Sequence, residues 1–570
     1  MNAAADFYRK TNLLALVPIL AVTGVFILPY GAALAGGFST LQGAFGSAFS
    51  NGDSHAAPAP ALPLLPIALF TMKQAFFSAI AALLLGLPGA WFVGTSDSRL
   101  ARALRPLTAI PFAMPSILVA LGFVLFFGNA GWFNRLIAAL MGSGKNGASG
   151  VPILYQTSAI VLAHAFYNFP IVIHLVGDSL VHVRRAYAPA AATLGASPWT
   201  TTRTLFLPAI TPAIIRSALL AFLYSFTSFS IVLVLGGGPR ATTLGVEIYR
   251  YSRVLLSFRE ASVFAITETV IAGAVFALTV FFERKTQTIF PDNVRRTMEK
   301  KPMSLRTAWP LALYLLIAGC IVLGPLLSIV VESFLSRVSR SGAAAPSLKW
   351  WLAIGERCAP ALVRSLALAF CSASAACVLA IIAAWTAQNS ERNAAKGGAV
   401  SLLARLLARV IRLFVSAPLV SSGIVLGLGF LMLYGRKHGA NMAALVMVHA
   451  VAALPFAGNA IMEGFHTINA GIINAAESLG ASPLKRLFTV DIPLCGRHIR
   501  SAFGFAAAIS LGELNAVMML GIEDFETLPL LIYRAVGAYR YGSACAAGVL
   551  LMLCCGLAFA LPDAGVKRDA

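Results

Sequence analysis

An apolar run long enough to cross a lipid bilayer recurs along this chain, and that recurrence limits the fold more than any other feature. A hydrocarbon core asks for ~20 apolar residues per helix. Inside it, every backbone N–H and C=O must find its partner within the segment, so a repeated run of this kind means helices. Twelve runs are read, at 12–34, 68–93, 107–128, 156–179, 208–235 and 261–282, then at 309–332, 361–387, 411–434, 441–463, 494–520 and 543–562. Hydrophobic residues make up 58% of the chain and charged residues 11%, against about 25% charged in soluble domains. The expectation is an all-α polytopic membrane protein with about 12 transmembrane helices.

The connections carry the charge. The net charge of +21 first raises nucleic acid as a partner, but no dense basic stripe interleaved with aromatics appears. Arg99, Arg102 and Arg105 lie between spans, as do Arg284, Lys285, Arg295, Arg296, Lys300, Lys301 and Arg306, and later Arg392, Lys396, Arg405 and Arg409. All fall on one side of the membrane if both termini are cytoplasmic, as the excess of Lys and Arg in cytoplasmic loops requires. The reading is therefore a lipid bilayer and no nucleic acid. Arg9-Lys10 precedes a span too long for a cleavable signal and reads as a signal anchor. Residues 35–67 read as a Gly/Ala/Pro-rich extended loop, and 129–155 as turns around a short amphipathic helix from Trp132 to Met141. The eight Cys all follow residue 319, with no CxxC pair, and read as small core residues.

Six and six is also a repeat. At an offset of 285, His164-Ala165 matches His449-Ala450, Pro170 matches Pro455, Asp178 matches Glu463 and Ser225 matches Ser510. Ile117 to Gly128 resembles Ile424 to Gly435 at an offset of 307. The expected organisation is a first module at 1–283, a cytoplasmic linker at 284–308 and a second module at 309–570. Two parallel copies of six spans pack about an axis along the membrane normal, with a solute site between them.

The most informative repeated stretch is short and polar. Ala190-Ala191-Ala192-Thr193-Leu194-Gly195-Ala196-Ser197-Pro198 closes on Leu207-Pro208, and Ala475-Ala476-Glu477-Ser478-Leu479-Gly480-Ala481-Ser482-Pro483 closes on Ile492-Pro493. Each is a helix–turn–helix elbow between spans. The two resemble the EAA motif of ABC importer permeases, EAA-x3-G-x9-I-x-LP, with Pro189 and Asn474 standing where the motif has Glu. Pro189 suits the first position of a helix and Asn474 is a good cap. The resemblance covers nearly the whole chain and implies the type I ABC importer permease fold, in which the motif is the helix that docks on the ATPase. It implies a place in the bacterial inner membrane and three partners: an ABC ATPase subunit dimer, a periplasmic or lipid-anchored solute-binding protein, and ATP bound by those subunits. ATP and Mg would sit on the ATPase subunits. This chain has no GxxxxGK[ST] loop, so no cofactor and no catalytic residue is expected in it. Within that family the fused chains most similar are thiamine permeases, with Leu235 to Leu244 and Asp524 to Tyr533 carrying the likeness, and ferric-iron permeases second.

The residues expected to couple to the ATPase are Ala190, Ala191, Leu194, Gly195, Pro208, Ala475, Ala476, Leu479, Gly480 and Pro493. For the translocation path they are Ser225, Thr227 and Ser228 in the first half and Ser510, Glu513 and Asn515 in the second, because a carboxylate inside a span is costly and needs a cavity or a partner. His164 and His449 read as hydrogen-bonded packing residues, with no metal-ligand spacing nearby. Tyr249, Arg250, Tyr251, Tyr533, Arg534, Tyr539 and Arg540 read either as a docking face for the binding protein or as an interfacial belt. An ion-coupled secondary transporter is the alternative from another class. It wants several intramembrane charges, and Glu513 is essentially alone. No HExxH, paired carboxylates or nucleophile–base set marks a membrane enzyme.

Overall fold

The computed structural model describes residues 24, 27–49, 62–96, 114–129, 131–140, 153–236, 238, 241–289, 305–337, 344–395, 400–439 and 441–560. In chain order the first half supplies α1 (Leu28–Phe49), α2 (Leu64–Thr95), α3 (Ser116–Phe127), α4 (Trp132–Leu140), α5 (Thr157–Thr193), α6 (Pro198–Thr201), α7 (Leu207–Phe226), α8 (Ser230–Leu235), α9 (Leu244–Tyr249) and α10 (Phe258–Ile289). The second half supplies α11 (Leu305–Ser333), a small hairpin of β1 (Leu335–Arg337) and β2 (Ala344–Pro346), α12 (Lys349–Ala395), α13 (Val400–Ser416) and α14 (Gly423–Gly439). It continues with α15 (Met442–Thr467), α16 (Ala470–Ser478), α17 (Pro483–Arg486), α18 (Ile492–Leu494), α19 (Gly496–Gly512), α20 (Asn515–Leu520), α21 (Leu528–Gly537) and α22 (Tyr541–Ala560). The hairpin pairs antiparallel, Leu335 opposite Pro346.

Among the described residues nine helices are long and apolar enough to cross a membrane, and one bent pair, α13 with α14, meets that measure only when taken together. Two of the twelve expected spans are not among these. The run expected at 12–34 lies largely outside the described residues, and its described helix is α1, which begins at Leu28 and continues to Phe49. The extended loop expected at 35–67 is thus helical as far as residue 49. No proline occurs between Pro29 and Pro58 to stop it, and Gly37 lets α1 pack against the Ser262 backbone. The run expected at 494–520 breaks after 17 residues of α19. The run at 411–434 is also corrected: α13 turns by 100° before α14, so residues 411–416 end an amphipathic helix rather than begin a span. Most of the loop expected at 388–410 is helix, since α12 runs on to Ala395 and α13 starts at Val400. The basic residues from Arg99 to Arg105, Arg295 to Lys301 and Lys396 lie outside the described residues.

Packing divides the chain into two compact units that exchange their first helices. One unit holds residues 1–52, 248–266 and 351–570, the other residues 53–247 and 267–350. So α1, from the first half, packs on α14, and α11, from the second half, packs on α3. The two contacts are built alike. A Cβ at Gly429 would lie 1.9 Å from the Pro29 carbonyl oxygen, and one at Gly122 would lie 2.8 Å from that of Pro325. Gly122 and Gly429 are 307 positions apart, the offset already seen for this stretch. Between helices in lipid the attraction comes from close backbone approach, which small residues permit. The same device joins α2 to α5, where Gly86 meets Val172 and Phe169, and Gly94 meets Leu180.

Candidate functional site

Pro189 and Asn474 do not start helices: Pro189 lies inside α5, and Asn474 inside α16, which Asn469 caps. Each elbow begins where a helix must stop. The last turn of α5 closes with Ala196 N–H on the Ala191 carbonyl (3.0 Å) and Gly195 N–H on that of Ala192 (3.1 Å). The last turn of α16 closes identically, with Ala481 on Ala476 (3.1 Å) and Gly480 on Glu477 (3.0 Å). This crossed pair is a Schellman cap, and it needs a left-handed residue. Gly195 and Gly480 supply it, at φ of 71° and 77°. Two residues later Ser197 caps α6 by accepting the Thr200 N–H, and Ser482 caps α17 by accepting that of Lys485. Pro198 and Pro483 follow at the first helical position, where no N–H bond is lost. A π-turn then leads into the next helix, Thr202–Phe206 in one copy and Leu487–Asp491 in the other.

The geometry turns the tip of each elbow outward. Leu194 is 85% exposed and Leu479 88%, and a Cβ on Gly195 or Gly480 would touch nothing within 4 Å. Trp199 widens the apolar tip of the first elbow, and Leu484 and Phe488 that of the second. Ala190, Ala191, Ala475 and Ala476 sit in the closing turns behind these tips, and Pro208 and Pro493 lie in the first turns of α7 and α18.

What holds each elbow to its unit differs, and the sequence reading missed this. In the first, Phe206 and Ile210 pack into a buried cluster with Val172, Val176, Leu180 and Val183, and Arg184 donates to the Thr95 carbonyl at the end of α2. In the second, Arg486 is 1% exposed and donates to Asp491 (3.1 Å), Glu477 (2.7 Å) and Asn389 (2.7 Å). Arg392 adds bonds to Glu477 (3.1 Å) and Asn474 (2.8 Å). Asn474 therefore takes a cation's hydrogen bond in place of the motif's Glu, and Glu477, three residues on, takes two. The end of α12 is thereby bolted to the second elbow. Thr201 and Phe206 stand at the positions of Arg486 and Asp491 in the first half. A search for residues common to both copies therefore passes over the pair. The one available signal was the i, i+5 spacing of a basic and an acidic residue beside the motif.

The fifth span of each half breaks at the same place. α7 ends at Phe226 and α8 begins at Ser230, while α19 ends at Gly512 and α20 begins at Asn515. Thr227 donates to the Leu223 carbonyl, and Glu513 Oε1 accepts the N–H groups of Asn515 (2.8 Å) and Ala516 (3.2 Å), capping α20. With a 1.5 Å rise per residue, the 17 residues of α19 put this break about 25 Å from the elbow. Thr227, Ser228, Glu513 and Asn515 are half-buried there. Ser225 and Ser510, by contrast, are buried and tied into packing. Ser225 accepts from Asn168 (3.0 Å), and its carbonyl accepts from Gln74 (2.9 Å), whose Oε1 lies 3.1 Å from His164 Nδ1. Ser510 Oγ lies 2.9 Å from His449 Nδ1 and 2.8 Å from Ser372 Oγ. The two histidines are buried and hydrogen-bonded, and among the described residues no group of three or more His, Cys, Asp or Glu is placed to hold a metal ion. The repeat extends to hydroxyl contacts on α9 and α21: Thr71 accepts the Leu244 N–H (3.1 Å) and Ser365 that of Leu528 (2.9 Å).

At the other end of α12 from the second elbow, Arg534 and Arg540 line a cleft of about 440 Å³ with Arg357, Arg364, Glu356 and Glu526. Arg534 pairs with Glu526 at 2.7 Å, and Arg364 lies over the Phe525 ring.

Two stretches of the chain, 86–286 and 395–568, match the family model of the binding-protein-dependent transport system inner membrane component. The chain belongs to that family. Each stretch contains one elbow and one broken span, so the double match and the repeated geometry coincide. Among its relatives, the thiamine transport system permease protein ThiP of Brucella suis is 30% identical over 96% of this chain and 95% of its own. That of Escherichia coli is 27% identical over 88% and 89%, and that of Haemophilus influenzae 27% over 86% and 87%. Of solved structures, a Vibrio cholerae MATE transporter covers 89% of this chain at 14% identity with a TM-score of 0.14, which carries no argument. This family member is a multi-pass inner-membrane permease, and its relatives are transporters rather than enzymes.

Proposed function

We propose that the chain is the translocating subunit of an ATP-driven importer whose solute is thiamine or its phosphates. The observation that carries the mechanism is the duplicated elbow, with the same cap, the same left-handed glycine and the same exposed leucine. A tip that is apolar, exposed and fixed by backbone bonds suits a groove on a second protein. Two such tips suit two copies of one subunit. That subunit is an ABC ATPase dimer, which holds the nucleotide and its Mg²⁺, and closure of the dimer draws the elbows together. The elbows and both termini then lie on the cytoplasmic side. The arginine-lined cleft lies at the far end of α12 and faces the solute-binding protein. Thr227, Ser228, Glu513 and Asn515, at the breaks in the fifth spans, line the path, with Ser225 and Ser510 behind them holding the broken helices in place. The solute assignment rests on relatives named for thiamine that align along most of the chain.

The test is uptake of labelled thiamine by cells that lack this chain and carry it back on a plasmid. Thiamine uptake returns with the chain, is lost on ATP depletion and survives collapse of the proton gradient. Return of ferric-iron uptake instead would overturn the solute. Uptake that follows the proton gradient rather than ATP would overturn the mechanism.

A further inference from the structure

Helix α13 carries three distinct faces. Ala404, Ala408, Ile411 and Val415, at spacings of four, three and four, are buried, and the helix packs on α15 and on the turn that follows it. Arg405, Arg409 and Arg412 form a second stripe at the same helical spacing. Leu402, Leu403, Leu406 and Leu413 form a third, each between 55 and 76% exposed. Among the described residues nothing covers these leucines. The helix is turned 100° from α14, so it does not continue that span.

Its place is the elbow end of its unit. Arg412 donates to Glu391, one residue before Arg392, and lies 3.3 Å from His466 at the end of α15. Arg405 and Arg409 have no partner among the described residues and are exposed beside the leucine stripe. A helix with an apolar stripe bordered by arginines, turned 100° from α14 at the elbow end of the unit, has the pattern of a segment lying in the membrane surface. The leucines enter the acyl boundary and the arginines meet phosphate groups. Protein docking already has its own surface, the tips at Leu479, Leu484 and Phe488.

We propose that α13 is an interfacial helix that binds anionic phospholipid of the leaflet on the elbow side, with Leu402, Leu406 and Leu413 in the acyl boundary and Arg405 and Arg409 on the headgroups. It ties the bilayer to the same corner of the unit that Arg392 ties to the second elbow. The proposal stands whatever solute the chain carries, and its test involves no transport.

The full chain, with p-benzoylphenylalanine in place of Leu406, is placed with its ATPase subunit in nanodiscs of equal phosphatidylglycerol and phosphatidylcholine. It is then photolysed and the adducts weighed. Phosphatidylglycerol adducts exceed phosphatidylcholine adducts by about fivefold for each arginine that meets a headgroup. Arg405→Gln/Arg409→Gln brings the two lipids to parity, while Arg405→Lys/Arg409→Lys keeps an excess. Lipid parity in the unsubstituted background, an excess that survives the Gln pair, or loss of the excess in the Lys pair would each overturn the proposal. Adducts formed mainly with the ATPase chain, or with no lipid, would overturn it too and would assign the helix to protein or to water.

Discussion

Replacing Arg486 by methionine removes the cation from a carboxylate that water does not reach. Asp491 is 0% exposed, its Oδ2 takes the Arg486 Nε–H at 3.1 Å, and its Oδ1 has no partner among the described residues. Breaking a buried pair on one side costs about 3–5 kcal/mol, because the remaining charge is stranded. Glu477 is 43% exposed and keeps Arg392, so little is added there. At about 1.4 kcal/mol per factor of ten, the second elbow shifts by roughly two to three and a half decades toward detached states. In Arg486→Met, insertion into the membrane continues, retention of the ATPase subunit on purification falls, and uptake falls with it. Arg486→Met/Asp491→Leu removes both charges and fills the space with apolar atoms. It recovers most of the loss, as apolar replacement of a buried pair generally does. Thermal unfolding of the purified chain and ATPase retention are measured for wild type, both single variants and the double. If the single Arg486→Met variant matches wild type, or the double variant is no better than it, the network is not what holds the elbow.

Gly195→Val/Gly480→Val inserts normally but loses uptake, because a β-branched residue at these φ values costs about 1–2 kcal/mol at each cap; Asn at both positions restores part of it, read as labelled-solute uptake. Leu194→Asp/Leu479→Asp leaves the caps intact and abolishes co-purification of the ATPase subunit, since both side chains project from the elbow tips. Gly429→Leu lowers the yield and melting temperature of the chain, because even a Cβ there would overlap the Pro29 carbonyl; Gly319→Leu, with open space around it, changes neither.

The elbows were legible because each of their parts is a local signal. A glycine two residues before Ser-Pro, at the end of an Ala-rich helix, states where the helix stops and where the next begins. The broken fifth spans were partly legible. Glu513 marked the position, but its use as a backbone cap depends on a break that apolar periodicity does not reveal. Residues 411–434 were misread because Ile411, Val415 and the following apolar turn blur the boundary between an amphipathic helix and a span. The arginine network escaped because it belongs to one half only. The exchange of first helices left no mark at all, since Pro29 and Gly429 meet only through the fold.

That exchange also sets a timetable for the ribosome. Gly429 lies 400 positions after Pro29, and synthesis runs at ~5–20 residues per second, so α1 is made on the order of 20–80 s before its contact on α14 exists. In the first part of that interval α1 has neither neighbour, and in the second only the Ser262 contact at Gly37. A nascent chain arrested before α14 leaves the Pro29 end of α1 without its partner glycine.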